Sequence, residues 1–428
     1  MRKLSVYTLC LLTLFLLSSR AGFGQTVPGH VVIPPMSNAQ PNDANGNLYA
    51  HTNIRMWVPT GGQFGMSAQP NELPPFPGFF FETPASIACV YQLVNENAPP
   101  FDHSCNPNVT TQNPTGGGGA IALVEGFDDP TAVSDLATFS AQFGLPTANI
   151  TVVFANGTAQ TTVKPGIDPT GSFELETSLD IEWAHAMAPN AKIFLVEAPN
   201  NGLVNLFNAA VLAGQLVAAN GGGEVSMSFG HSEIAQEAQF DVDFTTPGAV
   251  YFASSGDSPG TSYPSTSPNV ISAGGTTLSR NSTTGSFELE NTWQVSGGGP
   301  SLVEPRPAFQ NIVKFIVGNF RGTPDLSFDA NPETGVWVFD SNPVFGTGWF
   351  VVGGTSVSAP SLAGIVNAAG KFRKSSQAEN TEIYNNLLDP FAFNDIQFGS
   401  CGINAGNLSV FGWDFCTGVG SDRGYFGK

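Results

Sequence analysis

From residue 120 onward the apolar positions alternate between two periods. Ala120–Gly126 (AIALVEG) is a continuous apolar run behind the glycine tract 116–119, as expected of a strand buried on both faces. Residues 130–143 switch to helical spacing. Val133, Leu136, Ala137 and Phe143 share a face, Pro130 stands near the first turn and Gly144 is the stop. The alternation repeats with a strand at Ile150–Phe154, a helix at Phe173–Ala188 ended by Pro189-Asn190, and a strand at Lys192–Glu197. It continues with a helix at Leu203–Ala219, a strand at Glu224–Phe229, a polar-rich helix and a strand at Ala249–Ser255. Apolar strands separated by helices predict an α/β fold of three layers, with a largely parallel central sheet and helices on both faces. One large domain from about residue 83 to 428 accounts for this pattern, and its site is expected at the carboxyl ends of the strands. Residues 25–82 are rich in Pro, Gly and Asn and lack a period, so they predict an irregular N-terminal extension, although Phe79-Phe80-Phe81 must pack on something.

Charge narrows the partners. Fifteen Lys+Arg against 34 Asp+Glu give a formal net charge of −19. Nucleic-acid binding needs a basic footprint and anionic membranes attract basic segments, so neither partner is expected. At the N-terminus Arg2 and Lys3 precede an apolar run, Leu11 to Leu17, and the small residues Ala21, Gly22 and Gly24. This is the layout of a secretory signal peptide over residues 1–24, too short for an anchor, and it predicts a secreted chain, extracellular or periplasmic. Cys10 leaves with that segment; Cys89, Cys105, Cys401 and Cys416 remain. Four cysteines allow three pairings. The local pairs Cys89–Cys105 and Cys401–Cys416 are favoured, each closing a loop of roughly 15 residues worth about 3 kcal/mol. A zinc site suits the spacing less well, because no C-x-x-C pair is present.

Three constellations carry chemistry. In GGTSVSAP (353–360) a strand over Trp349–Val352 runs into a glycine turn and a helix begins at or just after Ser356. A serine there projects from a tight turn near the positive end of a helix, which suits a nucleophile; a plain N-cap is the structural alternative. Glu176 and Asp180 stand at i, i+4 and so share a helix face. Leu179, Trp183, Ala184 and Met187 make that helix largely apolar, so the pair is expected to line a cleft and to divide acid and base roles by different pKa values. Asp257, in SSGDS, follows the strand VYFASS and can reach the same cleft, or cap its own turn. None of the five histidines stands in an HGTHVAG-like motif, and His185 turns toward another face of its helix, where a structural role is expected.

Taken in order, the Glu-x-x-x-Asp helix ending in APNAKI, SSGDS, GGTSVSAP, NDI and GWDFCTGVGS resemble the motifs of the sedolisins, serine-carboxyl peptidases with a subtilisin-like fold. The resemblance runs from about residue 83 to the end. It implies Ser356 as nucleophile, Glu176 as its general base and acid, Asp180 as the residue orienting Glu176 and sharing its proton, and Asp257 in the oxyanion hole. A carboxyl donates to an oxyanion only while protonated, so the implied activity is an endopeptidase working around pH 3–5 on polypeptide substrates, as a monomer. Glu125 stands where some members extend the proton network; the strand VSMSFGH has Phe229 where those members have a partner Trp.

Phe229, Gly230, Ser262 and Gly298 fall at the implied substrate cleft. Ser262 stands where some members carry an Asp for basic side chains, so apolar or aromatic residues are expected at the primary site. The resemblance also implies one structural calcium on Asp395, the Ile396, Val410 and Gly412 carbonyls, and Asp414, an all-oxygen set suited to a hard cation. Relatives carry a long folded prodomain, whereas only about sixty irregular residues precede Pro84; the extension is then expected to stay attached, covering a sheet edge or part of the cleft. An inactive binding protein on a peptidase scaffold is the alternative in another class, favoured by that short extension and by Phe229 and opposed by the intact Glu176, Asp180, Asp257 and Ser356. A tripeptide-releasing exopeptidase would need an anchor for a free α-amino group, and none is evident.

Overall fold

The computed structural model describes residues 28–40, 42, 46–62, 79–94, 106–402 and 407–428. The signal segment and Cys105, and with it the Cys89–Cys105 pairing, lie outside the described residues. The chain enters through three short strands, β1 (Gly29–Val32), β2 (His51–Thr52) and β3 (Arg55–Pro59), then helix α1 (Pro84–Val90). The extension is therefore not irregular throughout. Its strands are two to five residues long, too short to show a period in sequence.

The alternation follows as read: β4 (Ala120–Gly126), α2 (Ala132–Phe143), β5 (Asn149–Asn156), β6 (Ala159–Thr161), α3 (Ser172–Met187), β7 (Lys192–Ala198) and α4 (Leu203–Ala219). Next come β8 (Gly223–Met227), β9 (Phe229–Ser232), β10 (Ala249–Ser254), β11 (Ser262–Tyr263), β12 (Ile271–Arg280) and β13 (Phe287–Thr292). The remainder is β14 (Gly299–Pro305), α5 (Lys314–Val317), β15 (Phe320–Thr323), β16 (Leu326–Asp329), β17 (Val336–Asn342), β18 (Gly346–Gly353), α6 (Thr355–Ala368), α7 (Ser376–Asn385) and four short strands, β19 (Phe393–Asn394), β20 (Ser400–Cys401), β21 (Asn407–Leu408) and β22 (Ser421–Asp422). The polar-rich helix expected after β9 is a 3-10 segment, Glu237–Phe244.

The central sheet runs β16-β12-β10-β8-β4-β7-β5, all parallel, with β6, β13 and β19 antiparallel at its margins. A second, antiparallel sheet has the order β1-β3-β18-β17, so two strands of the extension complete a hairpin that leads into α6. The expected strand 224–229 divides at Ser228. β8 stays in the central sheet, while β9 turns away to pair with β11 and β2.

Every residue of α3 is buried. It lies against α6, and the two backbones come close because residue 364 is glycine: a Cβ there would stand 2.6 Å from the Met187 Cβ and 3.1 Å from the Ala184 carbonyl oxygen. That approach brings the α3 carboxyls to the start of α6. A disulfide joins Cys401 to Cys416, as the spacing suggested.

Candidate active site

Strand β18 turns into α6 through Gly353-Gly354. Gly354 has φ 110°, a left-handed value that favours glycine, and a Cβ on it would lie 2.0 Å from the Asn53 carbonyl oxygen and 2.6 Å from Asp257 Oδ2. Ser356 is the second residue of α6, so its N–H has no partner within the helix. That N–H donates to the Asn53 carbonyl at 3.1 Å. Pro360, one turn on, lacks the N–H that would have capped the Ser356 carbonyl. The Ser228 hydroxyl lies 3.3 Å from that carbonyl oxygen instead.

Glu176 and Asp180 are both wholly buried and face the same space. The Ser356 hydroxyl donates to the Ser228 carbonyl at 3.1 Å, and Ser228 Oγ lies 2.8 Å from Asp180 Oδ1. One hydroxyl proton cannot serve both Asp180 and the Ser356 carbonyl. A protonated Asp180 that donates to Ser228 Oγ frees Ser228 to donate onward. Burial pushes Asp180 up to about 8, with the Ser228 hydroxyl and Glu125 countering in part. Burial, then the Asp180 charge, push Glu176 well above the usual carboxylate range, while the Ser356 hydroxyl opposes them. The two carboxyls therefore hold at least one proton between them through neutral pH.

A row of acids continues behind the pair. Glu125 packs beside Asp180, and neither Glu125 Oε1 nor Asp180 Oδ2 meets a neutral donor, an arrangement that requires a shared proton. Burial, and then Asp180 and Glu176, push Glu125 up. On the neighbouring strand Glu197 stands opposite Glu125, and burial raises it to about 9. The proton network thus exists without an indole at Phe229, and Ser228, which sequence reasoning missed, supplies a donor to it.

Asp257 follows β10 and its Oδ1 accepts from the Thr355 N–H at 2.7 Å and the Thr355 hydroxyl at 2.9 Å. Arg55, from β3, places Nε 3.8 Å from Oδ2 and also donates to the Asp257 backbone carbonyl. Burial raises Asp257 to about 6 against the pull of Arg55 and Thr355. Oδ2 and the Asn53 carbonyl oxygen thus both lie against the Gly354 turn, and that carbonyl oxygen accepts from the Ser356 N–H.

Phe229 and Gly230 lie on β9 and pair with Thr52 and His51. Ser262 packs behind Gly230: a Cβ at 230 would stand 2.2 Å from Ser262 Oγ. The Gly298 N–H donates to the Gly260 carbonyl at 2.8 Å, closing the loop after Asp257. His185 is remote, its Nε2 held 2.9 Å from the Pro146 carbonyl, a structural role as expected. Near the C-terminus the Gly412 N–H reaches Asp395 Oδ2 at 3.1 Å and the Val410 N–H reaches Asp414 Oδ2 at 3.0 Å, so one loop gathers both carboxylates. Ile396 is buried beside them and Val410 is exposed.

No family model matches the chain. Kumamolisin from Bacillus sp. (strain MN-32) is 32% identical over 345 residues, which cover 72% of this chain and 59% of that protein. Sedolisin from Pseudomonas sp. (strain 101) is 25% identical over 332 residues, 68% of this chain and 54% of that protein. A solved structure of Pseudomonas sedolisin (serine-carboxyl proteinase), complexed with two molecules of pseudo-iodotyrostatin, superposes with a TM-score of 0.63 at 23% identity, covering 80% of this chain and 95% of that one. The chain belongs to the sedolisin family. Its fold is the sedolisin fold, a subtilisin-like α/β arrangement with a mostly parallel sheet, as the alternation predicted. The chain spans 59% and 54% of the two curated sedolisin-family relatives. Among the described residues no helix is long and apolar enough to cross a membrane.

The buried carboxyls of this sedolisin-family chain make its stability depend on pH with a definite sign. Asp180 and Glu197 have raised pKa values in the folded state, about 8 and 9. The folded chain therefore binds more protons than the unfolded one between pH ~4 and those values, and stability falls as pH rises through that window at about 1.4 kcal/mol per unit per group. Thermal unfolding should show a Tm at pH 8 lower than at pH 4 by roughly 10 °C. A Tm that rises over the same range would show that these groups ionise freely in the fold.

Proposed function

We propose that the chain is a secreted serine-carboxyl endopeptidase that hydrolyses polypeptides in acid. The observation that carries this reading is what gathers at the start of α6: the Ser356 N–H bonded to a backbone carbonyl oxygen, Asp257 Oδ2 at the same Gly354 turn, and the buried Glu176–Asp180 pair acting on Ser356 directly and through Ser228. Ser356 Oγ attacks a peptide carbonyl while Glu176 accepts its proton; Asp180 takes up or returns the proton shared by the pair. The oxyanion is held by the Ser356 N–H and by Asp257, which donates only as the neutral acid. With Asp257 raised to about 6, the donor form dominates below that pH. The protonated Glu176 then delivers its proton to the leaving amine. A binding-only role would leave this set of groups without a use.

Cleavage of denatured protein from pH 2 to 8, comparing the secreted chain with Ser356→Ala and Glu176→Ala, tests the reading. An acid optimum lost in both variants supports it; a folded protein without cleavage at any pH overturns it.

We also propose that Asp395 and Asp414, with the Ile396, Val410 and Gly412 carbonyls, hold one structural calcium. The donor set fits, since two carboxylates converge on one loop and neither has a Lys or Arg ion-pair partner among the described residues. The ion would tie the loop 395–414 to the end of the fold and takes no part in the chemistry. Chelation should lower Tm by at least 5 °C by mass action, with recovery on adding calcium but not magnesium. An unchanged Tm would remove the calcium assignment.

A further inference from the structure

A second group of acids ties together the segments that carry the implied cleft positions. β9 holds Phe229 and Gly230, β11 holds Ser262, and β14 starts one residue after Gly298. β11 pairs with one edge of β9 and β2 with the other. Glu233 stands just past the end of β9. The Thr261 and Ser301 hydroxyls donate to its carboxylate, and so does the Leu302 N–H at 3.1 Å, so one side chain joins β9 to the start of β11 and to β14. Glu237, wholly buried, accepts from the Ile234 N–H at 2.7 Å and meets the Thr266 hydroxyl at 3.3 Å. The Tyr263 hydroxyl donates to Asp241 at 3.1 Å. Glu304, on β14, is 1% exposed, and its Oε1 meets no donor.

These acids also meet one another. The Glu237 carboxyl bonds to Glu233, and that of Glu304 to Asp241. Two carboxyls bond only through a shared proton. The groups facing the cluster are Glu233 from the end of β9, Glu237 and Asp241 from the 3-10 segment, Tyr263 from β11 and Glu304 from β14. Helix α4, which packs on the 3-10 segment through Phe207 against Phe240 and Phe244, carries no charged residue. Among the described residues none of the four acids has a Lys, Arg or His ion-pair partner, and none bonds to Glu176, Asp180, Asp257 or Ser356. Protons alone can neutralise the cluster.

We infer that Glu233, Glu237, Asp241 and Glu304 are positioning residues that form a proton-dependent clamp on the substrate strand: shared protons hold β9, β11 and β14 together in acid, and their loss loosens the cleft wall and weakens substrate binding. The substrate role of β9 rests on the serine-carboxyl reading above; the clamp itself does not. Burial, then the Asp241 charge, raise Glu304 to about 7. Burial raises Glu237 to about 8, the Ile234 N–H countering and the Glu233 charge adding to it. Burial raises Asp241 as well, against the Ser267 and Tyr263 hydroxyls. Both glutamates lie above the unfolded value of about 4.3, so the clamp is closed in acid and opens as pH rises through 7 and 8.

Two measurements test the clamp. The first is kcat and KM on fluorophore-labelled denatured casein from pH 4 to 7.5. KM of the parent should rise at least tenfold over that range. In Glu237→Gln/Glu304→Gln, whose amides donate at every pH, KM should stay within about threefold of its pH 4 value, with kcat at pH 4 within about threefold of the parent. Glu304→Leu should raise KM at least tenfold already at pH 4. A parent KM that does not change with pH, or an amide variant that follows the parent, overturns the clamp and leaves the peptidase reading standing. The second is hydrogen exchange at pH 8.5 in Ser356→Ala, with and without the two amides. The amides should protect 261–266 and 299–305 at least tenfold better, and β4 by less than threefold. Equal protection of those segments overturns the clamp. A folded chain that cleaves nothing overturns the peptidase reading, and the exchange result then decides the clamp by itself.

Discussion

Glu176→Gln is expected to lower kcat/KM by about 10³–10⁴-fold, equivalent to about 4–5.5 kcal/mol of transition-state stabilisation. The amide keeps the shape of the side chain but cannot take the Ser356 proton. The loss should fall on kcat rather than on KM, since the role proposed for Glu176 is to move the Ser356 proton and not to bind the peptide backbone. Ser356→Ala should cost about as much, and the double variant little more, because the two residues act as one unit. Stability separates this from a folding defect. Glu176 is a buried acid whose charged form is disfavoured, so removing it should leave Tm at pH 7 unchanged or raised. A loss below tenfold, or a Tm that drops with the activity, would reject Glu176 as the base.

Much of this site was legible before the fold was known, and the reason is local. Ser356 sits where a strand, two glycines and a helix follow one another in sequence. Glu176 and Asp180 share a face by helical spacing alone, and Asp257 follows an apolar strand directly. What escaped depends on contacts between distant positions. Asn53 reaches Ser356 across 303 residues, through strands too short to carry a period. Arg55 meets Asp257 across 202 residues. Ser228 alternates with Ser226 along 224–229, and only the departure of β9 from the sheet reveals what sets it apart. The facing acids Glu125 and Glu197 did leave a trace, because AIALVEG and KIFLVEA both end their apolar runs in Leu-Val-Glu, and parallel pairing in register sets those glutamates opposite each other.

The extension also changes what Asp257 means. In the oxyanion role proposed for it Asp257 needs a proton, yet Arg55 faces it from β3 and Thr355 donates to it from α6. Arg55 and Thr355 favour the ionised form, while burial, the largest influence, favours the neutral one. The balance near 6 makes the hole a donor in acid and an acceptor above it. Asp257→Asn replaces this switch with an amide that donates at every pH. Its activity at pH 4 should stay within about tenfold of the parent, whereas at pH 7 it should exceed the parent, so the alkaline limb of the pH profile moves upward. Asp257→Ala, which cannot donate at all, should lose about 10²–10³-fold in kcat across the whole range. The comparison is decisive because position and charge make opposite forecasts for the amide. If Asp257 served as an ionised partner of Arg55, Asn and Ala would fail alike at every pH. If it serves as a proton-bearing donor, Asn alone recovers function, and does so most where the parent has lost its proton.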